Sequence, residues 1–127
     1  MLLENKTGFR TPRIISDAEL AKCKKCVEKI IRKYLNTGIK SFTVKDLFGG
    51  DNWNWNNKKW YIQILYDKYY NKYSNWNGVT GDDANMMAYK QAAIDVGRIV
   101  KLVILSMPEK FKLSNTSGWN LTYTLCD

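Results

Sequence analysis

The stretch FKLSNTSGWNLTYTL, residues 111–125, decides how the rest of the chain is read. Phe111 and Leu113 alternate with polar residues on one arm, and Trp119, Leu121, Tyr123 and Leu125 do so on the other. A period of two places those side chains on one face, with Asn120, Thr122 and Thr124 on the opposite face. Asn115 to Gly118 supplies turn chemistry between the arms, so the pattern predicts a β-hairpin. Its apolar face has to be covered by something upstream.

Working back, Pro108 breaks the chain after a long helical pattern over roughly 82–105, opened by Thr80 or Asp82. Met86, Tyr89, Ala93, Val96, Val100 and Val103 line one side of that helix. Its end, IVKLVILS, is β-branched and fits a strand as well as a helix. SNWNGVTG, residues 74–81, reads as a loop, and residues 58–73 read as another helix. There Ile62, Leu65, Tyr66, Tyr69 and Tyr73 fall at i, i+3, i+4, i+7 and i+11, a single face that predicts burial. Trp60 and Tyr70 lie off that face. Trp53 and Trp55 precede the helix in an Asn-rich loop, and Trp76 follows it. These five aromatics form a candidate partner-binding surface.

Further upstream, S-D-A-E at 16–19 is a capping box, with Ser16 as N-cap and Glu19 reaching back. Leu20, Cys23, Val27, Ile30, Ile31 and Tyr34 follow at helical spacing, and Thr37-Gly38 supplies the stop. The opposite face carries Lys22, Lys25, Lys29, Arg32 and Lys33. SFTVKDLFGG, residues 41–50, then reads as a short strand followed by one or two helical turns capped by Thr43. Residues 1–15, with Arg10 and Arg13, read as a basic N-terminal arm ahead of a single domain over 16–127.

The predicted class is α+β and mainly helical: three to four helices and a C-terminal β-hairpin, in a winged helix-turn-helix-like arrangement. The segments FTVKDLF, AIDVGRIVK and SGWNLTYTL together resemble a group of small winged-helix-like proteins of low-GC Gram-positive bacteria and their phages. That resemblance implies a DNA-binding architecture. It carries no active-site residues with it.

Catalysis is not expected. The chain has no His, the commonest general acid and base, and no phosphate-binding or nucleophile motif. Cys23, Cys26 and Cys126 are too few for a closed zinc site without His, and an odd number argues against a disulfide framework. Cys23 is expected in the core. No cofactor and no metal are predicted. No apolar run is long enough for a membrane span, and the first residues lack a signal-peptide core, so a cytoplasmic protein without membrane contact is expected.

The formal charge is +8, from 20 Lys and Arg against 12 Asp and Glu, which favours an acidic partner. Residues 1–50 hold 11 basic and five acidic residues, whereas residues 79–127 hold five of each. In a winged helix the helix before the wing enters the major groove. Here that helix presents Lys90, Gln91, Arg98 and Lys101, with Lys110 and Lys112 at the foot of the wing. The expected function is nucleic-acid binding, with DNA as the first partner, through these residues and the Lys stripe of the first helix. The alternative is a phage-encoded, anti-CRISPR-like inhibitor that binds a nucleic-acid-associated protein through its Trp and Tyr side chains. Self-association into a homodimer through the last helix is a third option.

Overall fold

The computed structural model describes residues 13–47, 60–76, 78–117 and 120–126. Within them the chain runs α1 (Asp17–Asn36), β1 (Ser41–Thr43), α2 (Val44–Leu47), α3 (Trp60–Ser74), α4 (Gly81–Ser106), β2 (Phe111–Ser117) and β3 (Asn120–Leu125). The protein is α+β and mainly helical, with one small antiparallel sheet. Among the described residues no helix is long and apolar enough to cross a membrane.

The first helix begins where its caps require. The Glu19 amide donates to Ser16 Oγ at 3.2 Å, and the Ser16 amide donates to Glu19 Oε1 at 2.7 Å. Together they satisfy two of the amides that a helix start leaves without partners. Gly38 ends the helix at φ 90°, a left-handed conformation that costs glycine nothing. A second reciprocal pair opens α2, between the Thr43 and Asp46 amides and side chains. Thr80 caps α4 by accepting from the Asp83 amide at 3.1 Å.

The sheet order is β1-β3-β2, so the last strand lies between the other two. Phe42 pairs with Tyr123, and Tyr123 with Leu113, which sets these three side chains on one face. Phe42 and Tyr123 are fully buried there, with ring centroids 5.9 Å apart. Tyr34 of α1 meets Phe42 edge-on at 6.1 Å, so the sheet closes over the first helix. The hairpin arms run further than the turn chemistry predicts. Pairing continues to Ser117 and Asn120, with a register shift after Asn115 that absorbs the irregularity.

The helical core follows the predicted face of α3: Leu65, Tyr69 and Tyr73 are buried and Tyr66 is half-buried. The Ile62 side chain lies outside the described residues. Cys23, Val27 and Ile31 bury the inner side of α1, and Cys26 joins them. The core begins at Ile15, just before the capping box. The last helix stays helical to Ser106, so IVKLVILS is not a strand. Its ambiguity is resolved by tertiary packing, since Ile99, Val100, Val103 and Ile104 are all buried.

One expectation for α4 is overturned. Met86 and Tyr89 do not line the core: they are 64% and 41% exposed. The buried line is Ala84, Ala88 and Ala92, continued by Asp95, Val96 and Ile99. α3 packs chiefly on α4. Its bulky tyrosines need small residues opposite, so the alanines turn inward and the larger Met and Tyr turn out.

Candidate nucleic-acid interface

Because Leu20, Cys23, Val27 and Ile31 face the core, Lys22, Lys25, Lys29 and Lys33 are held together on the exposed side of α1. From Lys22 to Lys33 the helix rises about 16 Å, so the lysines form a stripe rather than a point. Arg32, on the edge of the stripe, is half-buried and has its own partners. Its Nη1 donates to Glu109 Oε2 at 2.5 Å, and its Nη2 lies 3.9 Å from Glu28 Oε1. The Arg32 bond holds the Glu109 carboxyl below the usual carboxylate range, and Glu109 raises the guanidinium in turn.

Glu109 lies in the link from α4 to β2, so this ion pair fixes the basic stripe against the foot of the hairpin. Lys110 and Lys112 follow directly and are exposed. The register places Ser41, Thr124 and Lys112 in one cross-strand row, with Thr43, Thr122 and Ser114 in the next. Ser41 Oγ and Thr124 Oγ1 are 2.7 Å apart. Among the described residues, the outer face of the sheet therefore presents hydroxyls and the Lys112 ammonium group. The Arg32–Glu109 pair ties α1 to the residue just before Lys110, 77 positions away in sequence.

The residues expected on α4 do not act as one group. Lys90 is exposed, while Gln91 and Lys101 are half-buried. Arg98 Nη1 donates to Asp95 Oδ1 at 3.0 Å, and Asp95 is fully buried. The Tyr69 hydroxyl donates to the other oxygen of the same carboxylate. Burial pushes the Asp95 carboxyl above its ordinary range, opposed by the Tyr69 and Arg98 bonds. Burial likewise raises the Tyr69 phenol, and its bond to Asp95 adds to the shift. Arg98 thus serves as an internal counter-ion. Asp95 was not singled out by sequence reasoning, although Asp95 and Arg98 at i, i+3 are a pairing signal that can be read directly.

Of the five aromatics expected at a partner surface, Tyr70 and Trp76 are described in full. Tyr70 is half-buried and stacks on Tyr66 at 6.0 Å. Trp76 is 48% exposed and meets the buried Tyr73 edge-on at 4.9 Å. Trp53 and Trp55 lie outside the described residues. Trp60 begins α3, but its side chain is outside them too.

Cys23 is fully buried and its thiol is pushed up to about 12, chiefly by burial. It is a packing residue, as expected. Comparison of the chain with family models, curated proteins and solved structures gives no match.

Proposed function

We propose that this protein binds nucleic acid, with duplex DNA as the first candidate, by gripping phosphates through the exposed face of α1 and the foot of the wing. The observation that carries this reading is the Arg32–Glu109 pair, which ties the helix of the Lys stripe to the residue next to Lys110 at the foot of the hairpin. The charge distribution agrees. Residues 1–50 carry six more basic than acidic residues, whereas residues 79–127 carry five of each. The order of helices and strands, with sheet order β1-β3-β2, supports a winged-helix reading with one additional helix.

Such contacts position a protein on a duplex and carry little sequence information. Base readout by α4 is not favoured, because Arg98 is committed to Asp95 and the helix opens with Asp82 and Asp83. The proposed activity is backbone-directed binding that serves a regulator or accessory factor. Lys22, Lys25, Lys29, Lys33, Lys110 and Lys112 can each neutralise a phosphate. If all do, the logarithm of affinity falls against log salt with a slope of about −5. A mobility-shift titration of two unrelated duplexes over a salt series tests this. Equal affinities and a steep slope support the reading; no binding at low salt overturns it.

A second reading rests on Trp76, which stands half exposed on an aromatic base at the end of α3. An inhibitor directed at a nucleic-acid-associated protein would use such an anchor. In that case Trp76→Ala removes partner binding and leaves nucleic-acid binding intact.

A further inference from the structure

The exposed side of α4 carries three large apolar side chains. Met86, Tyr89, Lys90, Ala93, Ile94 and Gly97 fall at i, i+3, i+4, i+7, i+8 and i+11, a single stripe along the longest helix. Met86 is 64% exposed, and Tyr89 and Ile94 are 41% exposed. Nothing lies within 4 Å of the position a Cβ would take at Gly97, so a foreign side chain has room to rest on the backbone there. Asp83 marks one end of the stripe and Lys101 the other, both on the Ile94 edge.

We infer that this stripe is the interface of an antiparallel homodimer. The occupant is identified by charge. A two-fold axis at the level of residue 92 sets Asp83 of each chain beside Lys101 of its mate. The same register sets the Lys90 stem level with the mate's Ile94, Met86 within one residue of its Gly97, and Tyr89 within two of its Ala93. Every contact then occurs twice, as a two-fold interface requires. A polyanion does not fit the same surface, since Asp82 and Asp83 would repel it and three large apolar side chains would meet phosphate. A second copy does fit. Residues 79–127 hold five basic and five acidic residues, so two such halves approach without net repulsion.

Sedimentation equilibrium of the full chain, from micromolar to submillimolar concentration, reads the result directly. The expected behaviour is a reversible monomer–dimer equilibrium. Asp83→Lys and Lys101→Asp, each alone, set like charges together at two places and should weaken the dimer roughly tenfold. Mixing the two variants restores both opposite-charge pairs in the heterodimer, so association should recover. Far-UV circular dichroism checks that each variant keeps its helices, and Ile94→Glu provides an independent disruption. A protein that stays monomeric throughout overturns the inference. So does a dimer that ignores the charge swaps.

Discussion

The Tyr69 hydroxyl on α3 donates to the fully buried carboxylate of Asp95 on α4. This bond joins the two helices that make the most extensive helix contact in the protein. Arg98, one turn further along α4, engages the second carboxylate oxygen at 3.0 Å. A buried carboxylate is tolerated only when its lone pairs are used, and these two donors use both oxygens. Tyr69→Phe keeps the ring and removes one donor. The expected loss is about 1–3 kcal/mol in unfolding free energy by urea titration. A loss near zero would mean that Asp95 finds another donor.

The acid response should have two opposing parts. Glu109 and Glu19 are held below the ordinary carboxylate range, Glu109 by Arg32 and Glu19 chiefly by the Ser16 amide. Depressed groups stabilise the fold above their unfolded pKa of about 4.3, and that stability is lost as pH falls through their folded values. Asp95 is raised by burial, so its sign is reversed. Its contribution is complete below about pH 3.9 and is lost as pH rises through its folded value. Thermal melts between pH 3 and pH 8 separate the two. Asp95→Asn should flatten the upper part of the profile, and Glu109→Gln should blunt the fall at the acid end.

Thiol reactivity offers an independent check on the core. Cys23 and Cys26 are buried, whereas Cys126 is half-buried at the end of β3. With its thiol pushed up to about 12, Cys23 carries almost no thiolate at neutral pH. In native protein a chromogenic disulfide reagent should react first with Cys126, and the Cys126→Ser variant should lose that fast phase. The remaining thiols should react only as the protein unfolds. Fast modification of Cys23 in the folded state would contradict the packing of α1.

The parts of this fold that sequence predicts are those controlled locally. Ser16 and Glu19 declare the start of α1 because a capping box is satisfied by residues three apart. The β-hairpin declares itself through its period of two. The buried side of α4 is not local. Hydrophobic spacing selects Met86 and Tyr89 because they are large, yet the face that meets α3 is chosen for smallness, through Ala84, Ala88 and Ala92. Asp95 escapes notice for a related reason: an aspartate on a helix reads as solvated unless its donor on another helix is known. In the candidate site, the Lys stripe was legible from spacing. The tie between that helix and the foot of the hairpin was not, because it depends on Arg32 meeting a residue 77 positions away.

The Arg32–Glu109 pair gives a prediction with an unusual sign. Glu109→Gln removes an acidic group from the proposed interface and releases a guanidinium that now serves an internal partner. Nucleic-acid affinity at low salt should rise, and the salt slope should steepen by about 0.9, one additional phosphate. The stability of the variant should fall at the same time, because the tie between α1 and the foot of the hairpin is weakened. Unchanged affinity and slope would place Arg32 outside the interface.

The central claim is that the α1 face grips phosphates, and the salt dependence of the variant Lys25→Gln, Lys29→Gln, Arg32→Gln and Lys33→Gln tests it most directly. All four positions lie away from the buried side of α1, so circular dichroism should show the helix retained. Three of them are lysines among the proposed phosphate contacts. Fluorescence anisotropy with two duplexes of unrelated sequence should show weaker binding to both alike, with a salt slope shallower by about 2.7. Undiminished affinity and an unchanged slope in a folded variant would contradict the account.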